Sequence, residues 1–289
     1  MSQAVLALPV SQPAIDRERF TAFGFALPSF LILSLVFVLP LALLLGVSVI
    51  GPEGPTLANY RRLFGTAYYL GVIWNSLRLG LLTTILTLAV SYPAAFALVR
   101  ARGGVRSLLL ATLFLPLAAS VIVKAFAWTI LLRSDGVVNQ ALMALGIIED
   151  PIRMIFTETA LIVGSVNIFL PFMILPIYAV VAQLDARLSE AAATLGASPL
   201  VAFARVIVPL TLPGVIAGVA LVFSLSVSAY VVPTLLIGER YPTLATTIAK
   251  AYLLAREPGF GAAAGVVLLA IAIFVVALST QLGREPASR

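Results

Sequence analysis

The sequence predicts an all-α membrane protein with about six transmembrane helices. Of its 289 residues, 61% are hydrophobic and 10% are charged, and the mean hydropathy is +1.11. A soluble domain carries about a quarter charged residues, so this chain has too few to cover a surface that faces water. Six long stretches carry few or no charges, and roughly 20 apolar residues suffice for a helix to cross the hydrocarbon layer. Each should be helical, because lipid offers no hydrogen-bond partner to a free backbone group.

The first apolar stretch is expected to be a retained helix. It is far longer than the roughly 7–15 residues of a signal-peptide core, and no A-x-A cleavage pattern follows it. The second, fourth, fifth and sixth stretches meet the length for a span, and the third does so with one interruption, at Lys124. The predicted spans are residues 25–50, 75–99, 108–132, 159–181, 213–236 and 261–282.

Prolines and glycines inside the spans predict kinks and close helix packing. Proline is tolerated in membrane helices when neighbouring groups satisfy the freed carbonyls, so these kinks either help packing or line a pathway. The pairs Gly214/Gly218 and Gly261/Gly265 have the small-xxx-small spacing that lets two helices approach closely. We therefore expect both segments to pack against other helices, of this chain or of a partner.

The charges indicate orientation and exclude several functions. An even number of spans places both termini on one side. The densest basic cluster, "RARGGVR", lies in a short turn on that side, which favours cytoplasmic termini. The net charge is +6, but the basic residues are spread over every loop, so we expect contact with lipid headgroups and no nucleic-acid partner. The chain has no cysteine and no histidine, which excludes disulfides, thiol nucleophiles and histidine-based metal sites, and we expect no metal site.

One jointed segment between two spans, "DARLSEAAATLGASPLVAFARVIVPLTLP", predicts two short helices with a fixed bend. Its first half is rich in helix formers. Gly196 is placed to end the first helix in a left-handed conformation. Ser198 can then cap a second helix, and Pro199 is suited to its first position. The apolar face of the first helix is predicted to comprise Leu184, Leu188, Ala191 and Leu195.

The second short helix is expected to present Leu200, Phe203 and Ile207 on one side and to stop at Pro209 and Pro213. From this pattern alone, two interpretations stay open. The pair of helices lies on the lipid headgroups, or it docks on another protein, where Glu190 could meet a cation.

The stretch "EAAATLGASPLVAFARVIVP" resembles the EAA motif of permease subunits in binding-protein-dependent ABC importers. Val206 and Val208 replace the isoleucine and leucine of that motif. The resemblance extends over nearly the whole chain, including "LPLAASVIVKAFAWTILLRSDGVVNQALMALGI", and points to the spermidine/putrescine type. Lys124 stands where those permeases usually carry arginine, and Ile237 replaces a glycine. The five positions that match the motif are Glu190, Ala191, Ala192, Gly196 and Pro209.

The resemblance implies the fold of a type I (MetI-like) importer permease: one transmembrane domain, 1–289, with a cytoplasmic coupling segment at about 182–212. It implies a multi-pass protein of the bacterial inner membrane. The expected partners are two ATPase subunits, a second homologous permease subunit in a heterodimer, a periplasmic substrate-binding protein and membrane lipid. The residues expected to couple to the ATPases are Glu190, Ala191, Ala192, Gly196, Ser198, Pro199, Leu200, Phe203 and Pro209.

The chain is expected to have no enzymatic activity and no cofactor of its own. A phosphate-binding loop needs G-x-x-x-x-G-K-[ST], whereas the two lysines stand in "VVKAF" and "IAKAY". Mg-ATP should therefore bind to the ATPase subunits.

The candidate translocation residues are Lys124, Asn167 and Tyr230. Lys124 is predicted to be the only charge clearly inside a span, which indicates a functional role, unless its stem reaches toward the interface. Asn167 either lines the pathway or, more commonly for such residues, hydrogen-bonds between helices. Arg78 is expected at an interface.

The resemblance suggests a polyamine as cargo, although Lys124 would repel it. Opines or other amino-acid derivatives, phosphonates, sulfate and ferric iron stay open. An ion-coupled secondary transporter and a membrane scaffold without transport are the competing classes of function.

Overall fold

The computed structural model describes residues 14–51, 54–185 and 187–284, apart from the side chains of residues 14–26, 189 and 282–284. The predicted domain, 1–289, and the predicted coupling segment, 182–212, both include positions outside this description. A short antiparallel ribbon, β1 (Ile50–Gly51) and β2 (Gly54–Pro55), pairs Ile50 with Pro55. The helices are α1 (Ala14–Ser48), α2 (Ala58–Gly65), α3 (Ala67–Arg100), α4 (Gly103–Ala118), α5 (Val121–Leu131), α6 (Val137–Ala144), α7 (Glu158–Val181), α8 (Arg187–Thr194), α9 (Pro199–Ala202), α10 (Val208–Val227), α11 (Val231–Leu236), α12 (Leu244–Leu253) and α13 (Pro258–Arg284).

The expectation of about six spans is confirmed. In the described part of the chain, five helical segments are long and apolar enough to cross a membrane, and the bent pair α4 and α5 adds a sixth if it is counted as one span. The five segments are Leu27–Ser48, Ala67–Arg100, Glu158–Val181, Pro199–Val227 and Pro258–Gln281.

The third predicted span, 108–132, is wrong as a single helix. Helices α4 and α5 meet at an angle of 106°. Pro116 lies in the last turn of α4, Ala119 is extended, and the Ser120 side chain accepts a hydrogen bond from the Ile122 amide to begin α5. A proline followed by a good capping residue ends one helix and starts another.

The fifth predicted span, 213–236, is also wrong in both boundaries. The helix begins at Pro199 and ends at Val227, and α11 is a separate segment. Pro209 and Pro213 do not stop it. The π-helical segment Phe203–Ile207 widens the preceding turn, and the Val208 amide bonds to the Phe203 carbonyl five residues back. This wider turn leaves room for the Pro209 ring, which would otherwise clash with a carbonyl four residues earlier.

The core lies where α3, α7 and α10 pack together. Its fully buried side chains include Leu79, Ile168, Met173, Ile177 and Val222. Helix α13 packs against α10, α12 and α1, and the apolar side chains of the α1 span are largely exposed. In a membrane, helix α1 therefore contacts lipid.

The predicted close packing at Gly214 and Gly218 is confirmed, and the neighbour is α7 of the same chain. A Cβ on Gly214 would lie 2.7 Å from the Pro176 carbonyl oxygen, and one on Gly218 would lie 2.7 Å from Met173 Sδ.

We expect Gly214→Ala to destabilise the protein by about 1–3 kcal/mol, because the added methyl group meets backbone that cannot move aside. The measurement is thermal unfolding in detergent. The matched control is Gly71→Ala, since Gly71 also lies in a helix but a methyl group added there would have nothing within 4 Å. Alanine there should leave stability unchanged or raise it by up to about 1 kcal/mol. Equal effects at the two positions would contradict the packing explanation.

Candidate coupling segment and translocation site

The bend between α8 and α9 has the predicted local geometry. Gly196 has φ +80°, which a residue with a side chain rarely adopts. The Ser198 hydroxyl accepts a hydrogen bond from the Val201 amide at 3.4 Å, and Pro199 occupies the first position of α9. The chain therefore leaves α8 and enters α9 in a fixed direction.

The bend exposes two large apolar side chains. Leu195 is 89% exposed and Leu200 is 81% exposed. Glu190 and Ala191 are also exposed, while Ala192 is partly buried. Of the predicted apolar face of α8, Leu184 and Leu188 are partly buried by the described part of this chain, whereas Ala191 and Leu195 are exposed and can meet either lipid or a partner.

Phe203 is only partly available for such a contact. Its ring centroid lies 6.2 Å from that of Tyr92 and 5.9 Å from that of Phe96, both on α3. The Tyr92 hydroxyl hydrogen-bonds the Thr211 hydroxyl on α10 at 2.8 Å, and the Arg100 guanidinium lies 5.9 Å from the Phe96 ring. We call Tyr92, Phe96 and Phe203 the aromatic cluster. It joins the π-helical segment to α3.

Sequence reasoning missed Tyr92 and Phe96. A signal was present, because the two aromatic residues stand four apart near the end of a predicted span and so share one face of a helix. The spacing alone could not show that Phe203 would meet them.

The three candidate translocation residues do not share one site. Asn167 accepts a hydrogen bond from the Trp128 indole at 3.2 Å, which links α7 to α5. It also lines a mainly apolar cavity of about 270 Å³ between α3, α4 and α7. Tyr230 lines a different cavity of about 260 Å³, and Lys124 lines neither. Lys124 is partly buried on α5 and has no ion pair among the described residues.

Arg78 lies toward the start of α3 and forms an ion pair with the start of α7. Helix α3 begins at Ala67, earlier than the predicted span, and its 34 residues exceed the roughly 20 that cross the hydrocarbon layer, so the position of Arg78 along the helix does not fix its depth. Arg78 pairs with Glu158, at the start of α7, with Nε and Oε1 3.1 Å apart. Because Glu158 is the first residue of α7, the ion pair lies at the level where α7 begins. That Arg78 sits at an interface, and that Lys124 is the only charge clearly inside a span, stay predictions.

Tyr241 adds a buried hydroxyl to this ion pair. It donates a hydrogen bond to the Asn75 carbonyl at 3.2 Å and lies 3.5 Å from Glu158 Oε1. Burial of the ring, with a further contribution from the Glu158 charge, raises the pKa of Tyr241 to about 12.

This shift predicts a loss of stability in alkali. The folded protein holds a proton that the unfolded chain releases near the ordinary pKa of 10.0, so stability falls as the pH rises from about 10 to 12. Denaturation in detergent measures the free energy of unfolding. Over this pH range, that free energy should fall less in Tyr241→Phe than in the wild type. Identical pH profiles in the two proteins would show that folding does not raise the pKa of Tyr241.

The coupling segment and a group of outer contacts lie at opposite ends of the bundle. At one end, Phe203 meets Phe96 near the last turn of α3. At the other, Arg62 of α2 pairs with Glu257, just before α13, at 2.7 Å. We call the end of the bundle that holds Arg62 and Glu257 the far end.

Comparison with solved structures shows the fold. A bacterial ABC transporter involved in import of the acidic polysaccharide alginate matches with a TM-score of 0.77 and 19% identity, over 93% of this chain and 96% of that chain. The same fold is seen in a bacterial alginate ABC transporter in complex with an alginate pentasaccharide-bound periplasmic protein, at a TM-score of 0.77 and 94% of this chain. The fold is that of an ABC-importer permease.

The curated relatives give the particular family. PotB of Haemophilus influenzae, a spermidine/putrescine transport system permease protein, is 38% identical over 247 residues, or 82% of this chain and 86% of that protein. PotB of Escherichia coli is 39% identical over 74% of this chain and 77% of its own. No protein-family model matches the chain. This chain belongs to the family of spermidine/putrescine transport system permease proteins, and it is a multi-pass inner membrane protein.

Proposed function

We propose that this permease imports a polyamine, spermidine or putrescine, or a closely related aliphatic amine. The observation that carries the proposal is the identity of 38–39% to PotB over most of the chain. More distant relatives leave room for other solutes: a permease of a 2-aminoethylphosphonate transport system is 27% identical. Family membership decides against the ion-coupled transporter and the scaffold.

Four partners complete the proposed importer. Two ATPase subunits bind at the cytoplasmic side, one of them to the bend between α8 and α9. A second, homologous permease supplies the other half of the pathway. A periplasmic binding protein delivers the solute to the far end, and the periplasmic protein in the alginate transporter complex supports this. Both termini then lie in the cytoplasm.

The continuous helical path suggests how force reaches the span. Residues Pro199–Val227 form one helical segment, so a movement of α9 passes through the π-helical segment directly into α10. The aromatic cluster carries part of that movement to α3. Closure of the two ATPases on ATP would draw the bends together and open the pathway outward, and hydrolysis would reset it.

The test is reconstitution of the complete importer in proteoliposomes, with radiolabelled putrescine as the solute. We expect uptake that requires internal ATP and the binding protein. Uptake driven by an ion gradient without ATP would overturn the mechanism. ATP-driven uptake of 2-aminoethylphosphonate but not of putrescine would overturn the cargo and leave the mechanism intact.

A further inference from the structure

A cavity at the far half of the bundle combines a carboxylate, an ammonium and an aromatic ring. It has a volume of about 260 Å³ and lies between α11, the 3-10 turn Gly238–Arg240 and α12. The residues that matter here are Tyr230, Thr234, Glu239, Thr246 and Lys250.

An ion pair spans this cavity. Lys250 Nζ lies 2.7 Å from Glu239 Oε1, and the two side chains are 44% and 83% exposed. Gly238 has φ +66°, a turn conformation that suits glycine and that directs the chain into Glu239. Lys250 lowers the pKa of Glu239, so the carboxylate is charged at neutral pH. An ion pair this exposed is worth little to stability, so its partners can exchange at low cost.

Tyr230 offers a second means of recognising a cation. Its side chain is 42% exposed, and its hydroxyl has no hydrogen-bond partner among the described residues. The face of a tyrosine ring attracts an ammonium group. Tyr230 and Glu239 therefore present a ring and a carboxylate to the same cavity.

The cavity also occupies a place in the fold that suits a solute. It adjoins the break between α10 and α11 at Ser228–Tyr230, where the helix is interrupted. Interrupted helices at membrane depth are tolerated where they line a cavity, and they often form solute sites in transporters. The start of α12 is fixed to α3, since Asn75 donates to the Pro242 carbonyl at 3.1 Å and the Leu244 amide donates to Ser76 Oγ at 2.7 Å.

The lysine in this cavity has the chemistry of the proposed cargo. Its side chain carries a primary ammonium group on a chain of four methylene groups. Putrescine and the aminobutyl end of spermidine have the same group on a chain of the same length. The Glu239 carboxylate thus already holds an alkylammonium, supplied by the protein itself.

We propose that Glu239 and Tyr230 bind the aminobutyl end of the cargo in exchange for Lys250, which occupies the carboxylate when the site is empty. The proposal rests on a polyamine cargo. Lys250 is then a tethered competitor, and its removal should strengthen binding of the cargo.

The test uses the complete importer and measures the KM for putrescine at saturating binding protein, with direct putrescine binding to the purified importer as a second readout. Glu239→Gln should raise the KM and the Kd about tenfold or more, because it removes the charge that holds the ammonium. Lys250→Met should lower both severalfold, and Tyr230→Leu should raise both by a smaller factor. Glu239→Asp should restore part of the affinity, and unfolding temperatures identify any variant that fails to fold.

A purely structural ion pair gives a different pattern. Its two variants would change the KM in the same direction, as we expect for the control pair Arg62→Met and Glu257→Gln, whose partners form an ion pair elsewhere at the far end. Wild-type uptake can be normal while Glu239→Gln and Lys250→Met shift the KM and the Kd in the same direction or leave both unchanged. In that case the cargo does not replace Lys250 at Glu239, and the proposed function stands. If the wild-type importer takes up no putrescine, the proposed cargo fails first.

Discussion

Replacing Leu200 with aspartate is expected to weaken binding of the ATPase subunit severely. Leu200 is 81% exposed at the start of α9, beside the fixed bend at Gly196. If an ATPase covers this side chain, aspartate places an unpaired carboxylate in the centre of the contact, where losses of at least about 2 kcal/mol are typical. That loss weakens binding about thirtyfold or more. The local fold should survive, because an acidic residue near a helix N-terminus is favourable.

The measurement is copurification of the ATPase with the detergent-solubilised permease, followed by ATP hydrolysis stimulated by the binding protein. Leu57→Asp is the matched control. Leu57 is also an exposed leucine at the N-terminus of a helix, α2, but it lies at the far end. We expect it to copurify the ATPase normally. Normal copurification by Leu200→Asp would instead favour the interpretation in which the bend lies on lipid headgroups.

Replacing Phe203 with alanine is expected to leave the ATPase bound but to uncouple hydrolysis from uptake. The Phe203 ring contacts Tyr92 and Phe96, which join the π-helical segment to α3. Each aromatic pair contributes about 0.5–1.5 kcal/mol beyond its buried area. Without the ring, α9 can move while α3 stays in place, so solute uptake for each ATP hydrolysed should fall about tenfold.

Two variants separate this coupling role from a general loss of packing. Tyr92→Phe keeps the ring and loses the hydrogen bond to Thr211, so it should retain most of the uptake. Phe126→Ala removes an exposed aromatic side chain from α5 and should change solute uptake for each ATP hydrolysed only a little. Loss of ATPase binding in Phe203→Ala would show that Phe203 belongs to the docking surface, as its place in the EAA segment predicts.

The sequence alone determined the class of fold and the local geometry of the bend. Apolar length fixes the number of membrane spans, because the hydrocarbon layer has a constant thickness. Gly196, Ser198 and Pro199 act within a few residues of chain, so their conformations follow from residue type. The core positions Gly214 and Gly218 were also predictable as points of close approach, but their neighbour was not.

Only the tertiary structure decided where the spans break and which side chains meet. Pro116 and Ser120 permit a break in the third apolar stretch, but only the structure shows that α4 and α5 meet at an angle of 106°. Pro209 normally ends a helix, and only the hydrogen bonding of the π-helical segment before it shows that the helix continues. The pairs Arg78–Glu158 and Glu239–Lys250, and the aromatic cluster, join residues from separate elements. Composition and local spacing carry no record of such contacts, because packing between distant segments creates them.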